Sequence, residues 1–215
     1  MKKSFKGALI VSGLVVAALS SATVVGTTAV PQTCFNTLTG NLSNLRLSNN
    51  NLVVNWGSKG EKLAFTPTAF NAPLGQAFKL GRLCITQNKD RYDQNGTFSV
   101  NLQVGVKFTQ PGAGLLVVNL PITHKEVKGG ADHTYLPTNT APQTVVLNGQ
   151  AYQLSVLGFK DNARSGAVAD WVSQSNCDSC IDLFGRLDPC PPVPEPATMA
   201  ALGLGIAALI RRRKK

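Results

Sequence analysis

The 215-residue chain has few of the residue types on which enzyme sites and nucleic-acid surfaces are built. Charged residues make up 15% of it, and it has 2 histidines and 2 tryptophans. It contains no Gly-x-Ser-x-Gly elbow, no phosphate-binding loop and no His-Glu-x-x-His, which excludes those hydrolase, nucleotide-binding and zinc-protease signatures. Glycoside hydrolysis needs two carboxylates about 5 to 10 Å apart, and nothing selects a pair among the acids. We therefore predict no enzyme activity, no catalytic residue and no cofactor.

The chain also has no hydrophobic run long enough for a durable membrane anchor. Its longest run, residues 197–210, lies near the C-terminus. As a helix, residues 197–210 would reach roughly 21 Å, less than the hydrocarbon core of about 30 Å. We predict a short transmembrane helix that serves as a transient stop rather than a durable anchor. A proline-rich motif precedes the run: Val193, Pro194, Glu195 and Pro196. Five cations that should stop transfer and stay cytoplasmic follow it: Arg211, Arg212, Arg213, Lys214 and Lys215.

This order of motif, short helix and basic stop, over residues 191–215, resembles the PEP-CTERM sorting tail. The resemblance implies that an exosortase in the bacterial membrane recognises and cleaves the tail. It also implies that the protein passes transiently through the inner membrane and ends at the cell surface or in the extracellular matrix.

The N-terminus has the layout of a secretory signal peptide. Lys2, Lys3 and Lys6 form a basic region, and residues 8–18 form an apolar region too short to span a membrane. Small residues follow, so cleavage is predicted after either Ala22 or Ala29. We assign residues 1–29 as signal peptide, handled by the Sec translocon and signal peptidase. An N-terminal membrane or core helix is the alternative.

The net charge of +10 belongs to these two ends. Without the three N-terminal lysines and the five terminal cations, 13 basic residues face 11 acidic ones. The middle of the chain has no patch of Lys and Arg interleaved with aromatic residues, which is the pattern expected of a nucleic-acid surface. Nucleic-acid binding is therefore not expected.

Residues 30–190 are long enough for one domain, and their pattern is β throughout. Apolar and polar residues alternate strictly over 97–108, as in a strand with one buried face. Residues 144–147 and 150–157 flank Asn148-Gly149, which predicts a hairpin with a type I′ turn. Further strands are predicted at 52–56, 77–86, 115–122 and 181–187. The predicted fold is an all-β antiparallel β-sandwich or jelly roll, flanked by the signal helix and the C-terminal transmembrane helix.

Parts of this domain resemble the exported bacterial domains called choice-of-anchor K. The resemblance rests on Phe-Lys-Leu-Gly-Arg-Leu at 78–83, Asn-Gly-Thr at 95–97, the hairpin segment 146–159, and Leu-Phe-Gly-Arg-Leu at 183–187. It covers about residues 75 to 190. It implies an exported β-sandwich and supplies no catalytic residue.

Five cysteines in an exported chain indicate disulfides, with one thiol left over. Cys177 and Cys180 bracket a short turn and are predicted to pair locally. Cys34 and Cys190 lie near opposite ends of the domain and are predicted to tie them together. Cys84 is then the candidate for the remaining thiol.

Metal and redox chemistry are alternatives to these bridges. Cys177 and Cys180 could form a redox pair, but the helix N-terminus that activates such a thiol is not predicted here. His124 and Glu126 with the two cysteines match in order part of the zinc deaminase signature, and His124, His133 and thiolates could hold a structural zinc. A calcium site could draw on Asp90, Asp93 and Asn95. We predict no metal site.

The remaining hypothesis is a binding surface. Exposed aromatic rings stack on sugars, and four candidates lie in predicted loops or strand ends: Trp56, Tyr92, Tyr135 and Trp171. Each could instead fill an edge of the core with its polar atom satisfied. The leading prediction is a noncatalytic surface or matrix protein. The alternatives are a module that binds exopolysaccharide and an extracellular hydrolase with an unrecognised site.

Overall fold

The computed structural model describes residues 22–28, 33–57, 60–87, 95–137, 140–160, 166–174 and 177–191. The predicted helix of the signal segment and the whole sorting tail, with the motif Val193 to Pro196 and the cations Arg211 to Lys215, lie outside these residues. Within the described residues, no helix has the length and hydrophobicity needed to cross a membrane.

The regular structure of the described residues consists of strands. They are β1 (Thr23–Thr28), β2 (Cys34–Gly40), β3 (Arg46–Ser48), β4 (Val53–Trp56), β5 (Glu61–Pro67), β6 (Ala69–Pro73), β7 (Ala77–Thr86), β8 (Gly96–Gln110), β9 (Gly114–Glu126), β10 (Ala131–Tyr135), β11 (Gln143–Leu147), β12 (Gln150–Lys160), β13 (Asp170–Gln174) and β14 (Ser179–Pro189).

These strands form two seven-stranded antiparallel sheets. The first has the order β13-β10-β9-β8-β1-β6, with β2 also paired to β8. The second has the order β11-β12-β14-β7-β5-β4-β3. The all-β antiparallel class predicted from the sequence is therefore confirmed.

The two sheets share one hydrophobic core. Rings from the first sheet contact rings from the second at several points along it, with Phe70 stacked on Phe78 at 4.4 Å and Trp171 edge-on to Phe159 at 6.1 Å between centroids. Both sheets contribute fully buried side chains, such as Phe108 from β8 and Leu80 from β7. The period-two patterns of the strands are what supply each sheet with one apolar face.

The two strongest local patterns fold as predicted. The alternating segment lies within β8, where residues from Phe98 to Phe108 pair with β9. The Asn148-Gly149 turn joins β11 to β12, and its two residues have φ of 51° and 76°. These are the positive angles that a type I′ turn requires.

Strand β1 extends the folded domain beyond the predicted start at residue 30. It lies inside the first sheet, paired with β6 on one side and β8 on the other. Val24 is fully buried in the core. Residues 23–28, assigned from the sequence to the signal peptide, thus belong to the β domain.

The disulfide pattern differs from the prediction. Cys84 on β7 is bonded to Cys180 on β14, and Cys34, Cys177 and Cys190 are free. The two bonded residues are direct cross-strand partners, with Cα atoms 4.1 Å apart. The predicted Cys177–Cys180 bond is not formed, because the register of β7 and β14 brings Cys84 to Cys180 instead. The predicted Cys34–Cys190 bond is also not formed.

Candidate functional site

A group of buried polar side chains lies on the inner face of the first sheet. His124 and Glu126 are two residues apart on β9, so both side chains point to the same face. Asp132 enters from β10, the next strand in the sheet. Each offers a possible ligand atom, and these three atoms lie within 4.8 Å of one another. We call His124, Glu126 and Asp132 the buried triad.

Hydrogen bonds from neighbouring elements hold the carboxylates of the triad. The indole N–H of Trp56, on β4, donates to the Glu126 carboxylate, and the amide group of Gln87 donates to Asp132. The backbone N–H of Val127 donates to Asp132 Oδ1 over 2.9 Å. Both sheets and the turn after β9 therefore fix the two acids in place.

The histidine of the triad is neutral at physiological pH. Its Nδ1 lies 3.0 Å from the Thr134 hydroxyl oxygen, the side chain directly opposite on β10. The ring is fully buried and packs against Trp56 and Phe98. Burial lowers the pKa of His124 to about 4, because the charged form loses its hydration. A neutral imidazole is the form that binds metal ions.

Three buried polar atoms near this site have no hydrogen-bond partner among the described residues: His124 Nε2, Ser173 Oγ and Glu61 Oε2. Ser173 lies on β13 as the direct partner of Asp132, so its side chain points to the same inner face. Glu61 is the partner of Trp56 on the neighbouring strand of the other sheet. Unsatisfied buried groups are rare and call for an explanation.

The zinc and redox sites considered from the sequence are not assembled. His133 follows Asp132 on β10 and points to the opposite face, where its Nδ1 lies 3.0 Å from Asp170. Cys180 is in a disulfide and cannot supply a thiolate or pair with Cys177. In the deaminase pattern both motifs begin helices, whereas here His124 and Cys180 lie on strands.

The calcium hypothesis gains no support from the described residues. Asp90 and Asp93 lie outside them. The third candidate, Asn95, accepts a hydrogen bond from the backbone N–H of Lys128 over 2.9 Å, as a turn residue does.

Two of the four aromatic candidates for sugar binding are buried, which corrects that prediction. Trp56 is 1% and Trp171 is 5% exposed. Trp56 follows Val54 at the two-residue spacing of a strand, so both side chains enter the core. Trp171 is opposite Thr134 and packs on Phe159. Tyr92 lies outside the described residues.

Tyr135 is the one candidate that the described structure exposes, at 37%. Its ring stacks almost parallel to that of His133, with centroids 5.7 Å apart and planes 8° from parallel. Val172, the strand partner of His133, is 47% exposed beside them. We call Tyr135, His133, Val172 and Asp170 the outer aromatic face.

From the sequence, His124 and Glu126 were considered only as part of a deaminase signature, because the predicted strand ended at residue 122. On β9, which runs to Glu126, the His-x-Glu spacing places two metal-binding side chains on one face. The third member and Ser173 follow only from the pairing of β9, β10 and β13, which the sequence does not reveal.

The comparisons with known proteins concern the C-terminal tail. Residues 192–214 match the PEP-CTERM protein-sorting motif. No curated protein matches the chain. The match confirms the predicted sorting motif and supports an exported, membrane-processed protein that an exosortase sorts.

Proposed function

We propose that the chain is a noncatalytic protein of the bacterial cell surface or extracellular matrix, delivered there by an exosortase. The match of residues 192–214 to the sorting motif carries the proposal. An all-β domain with a cross-strand disulfide between Cys84 and Cys180 suits an oxidising location outside the cytosol. In this proposal the signal peptide directs export through the Sec translocon, and signal peptidase removes it.

The burial of the Glu126 and Asp132 carboxylates supports a noncatalytic role. Glu126 and Asp132 are close enough to form a pair, but their exposed fractions are 8% and 2%. A glycosidase needs its carboxylates in a groove that admits a sugar chain. A polysaccharide cannot reach this pair in the described fold. The proposal also includes the resemblance of residues 75–190 to choice-of-anchor K domains. That resemblance implies an exported β-sandwich and supplies no catalytic residue.

The sorting step is tested by Glu195→Ala in the native host. Wild-type protein should lose about 20 residues from its C-terminus, whereas the variant should stay in the membrane with its tail attached. Intact mass spectrometry and membrane fractionation measure both outcomes. The tail is expected to hold the chain in the membrane only until cleavage.

The matched control is Asp188→Ala, which removes an acid from β14 just before the matched residues. It should be processed like the wild type. A wild-type chain that retains Lys215 in the host would contradict processing.

Binding of exopolysaccharide is the second candidate function, and the outer aromatic face favours it. The exposed ring of Tyr135, stacked on that of His133, offers an apolar contact surface, and the Asp170 carboxylate beside His133 can accept hydrogen bonds from hydroxyl groups. Flat rings with polar neighbours suit the faces of sugars.

A glycan array with the full chain tests this second function. Binding should be lost in Tyr135→Ala and kept in Leu115→Ala, which removes an apolar side chain of similar exposure from β9. No binding at millimolar sugar would exclude the module and leave the sorted surface protein as the proposal.

A further inference from the structure

We propose that the buried triad binds a divalent transition-metal ion, for which Zn²⁺ is the best fit, as a structural site. The proposal is independent of sorting and of sugar binding. It assigns a role to three buried side chains that the proposed function leaves unused.

The first step is the donor set. One imidazole nitrogen and two carboxylate oxygens converge within 4.8 Å of one another from adjacent strands. Ligand atoms bound to one zinc ion are about 3 to 4 Å apart, because each lies about 2 Å from the metal. Small side-chain shifts therefore suffice to close the triad around an ion.

The second step is the pair of buried polar atoms that lack partners. Within the described part of the chain, His124 Nε2 has no hydrogen-bond partner although the side chain is fully buried. Ser173 Oγ, on a side chain that is 2% exposed, is also without one and shares the inner face with its strand partner Asp132. A metal bound through Nε2 would give that nitrogen a partner, and the Ser173 hydroxyl would offer a fourth possible ligand on the same inner face.

The third step is the choice of ion. Calcium and magnesium prefer oxygen ligands, so the imidazole disfavours both. An imidazole with carboxylates suits zinc and its neighbours among the transition metals. Two carboxylates would offset the charge of a divalent ion.

The burial of the triad indicates a structural role. Its members are between 0% and 8% exposed, whereas a catalytic zinc keeps one position open to substrate. Hydrogen bonds from Trp56 and Gln87 to the two carboxylates are the outer contacts that orient metal ligands. The ion would join β9 to β10 on the inner face of the first sheet.

The test is a ZnCl₂ titration of the full chain, purified in detergent without a metal-affinity tag and stripped with chelator. We expect one equivalent of zinc per chain. Glu126→Gln and Asp132→Asn should each weaken binding by about tenfold or more, since both keep the side-chain shape and remove the charged donor. Circular dichroism verifies that each variant is folded.

The matched control is His133→Gln, which changes the other histidine of the same hairpin on the opposite face. It should bind zinc like the wild type. Cobalt substitution provides a second readout, because the three free thiols would give a thiolate-to-metal absorption band and the triad would not.

Three results would overturn the proposal. They are less than a tenth of an equivalent of zinc in the wild type, a thiolate band with cobalt, and equal loss of binding in His133→Gln and Glu126→Gln. The first result is measured on the wild-type protein, so it would overturn the proposal even if a variant failed to fold. None of the three bears on exosortase sorting.

Discussion

At the scale of single residues, the contribution of a carboxylate on β14 to stability depends on its burial and on its cationic partners. Asp182 is 8% exposed and lies opposite Arg82, whose Nε donates to Oδ1 over 2.7 Å, and Lys79 Nζ lies 2.8 Å from the same oxygen. Burial alone would raise the pKa of Asp182, but the hydrogen bonds and charges of Arg82 and Lys79 outweigh it and lower the pKa. The carboxylate is thus stabilised in the folded state.

This shift predicts a pH dependence for Asp182→Asn. A lowered pKa stabilises the fold fully above the unfolded value of 3.8, and this contribution is lost as the pH falls through the lower folded value. The variant should therefore be less stable than the wild type at pH 7, and the difference should shrink below about pH 4. Urea unfolding at pH 7, 5 and 3 measures it.

Asp188→Asn is the control on the same strand. Its partner Arg186 is 44% exposed, and exposed pairs contribute little because water screens them. If Asp182→Asn and Asp188→Asn lowered the free energy of unfolding equally at pH 7, the predicted larger contribution of Asp182 would be contradicted.

At the scale of elements, the β11–β12 hairpin depends on one glycine. Gly149 has φ of 76°, and a Cβ at this position would meet no atom within 4 Å. Gly149→Ala should therefore cost only the backbone strain of a left-handed residue, about 1 to 2 kcal/mol of unfolding free energy. Gly166→Ala is the control, since its surroundings are equally open and its φ is not left-handed. A neutral Gly149→Ala in chemical denaturation would contradict the turn assignment.

Strand β1 predicts which of the two candidate cleavage sites in the predicted signal peptide is used. A mature chain that begins at Thr23 keeps all of β1, whereas one that begins at Val30 loses a strand paired on both sides. We expect cleavage after Ala22. Ala22→Leu should block export processing, because this position needs a small residue, and Ala29→Leu should leave it unchanged. N-terminal sequencing of the exported protein decides, and a mature Val30 would contradict the prediction.

The sequence predicted the elements with strong local signals and, from weaker patterns, strands that overlap β4, β7, β9 and β14. The alternation in β8 spans its whole buried face, and Asn148-Gly149 specifies a turn by itself. Strands such as β3, β10 and β13 have three to five residues each, too few for a period-two pattern to stand out. Strand β1 was missed because its small and β-branched residues directly follow the segment that we predicted to be an export signal.

At the scale of the whole molecule, the sites depend on contacts between distant strands. The pairing of Cys84 with Cys180 joins residues 96 apart, and the triad with Ser173 needs three strands in register. The sequence offered His-x-Glu and a Cys-x-x-Cys, which are local fragments of these arrangements. Side-chain burial also depends on the register of the sheets, which is why Trp56 could be taken from the sequence as a surface residue.

The Cys84–Cys180 bond leads to the last prediction. It joins β7 to β14 in the interior of the second sheet, and it closes a loop of 96 residues. In the chain-entropy model such a loop contributes about 4 to 5 kcal/mol to the free energy of unfolding. Cys84→Ala with Cys180→Ala should therefore lower that free energy by several kcal/mol, whereas Cys177→Ser should leave it near the wild-type value, because Cys177 is free and exposed.

Denaturant unfolding measures the difference, and peptide mapping identifies the bond. Since the cytosol keeps thiols reduced, the fold gains this stability only after export. A mapped Cys177–Cys180 bond would contradict the prediction.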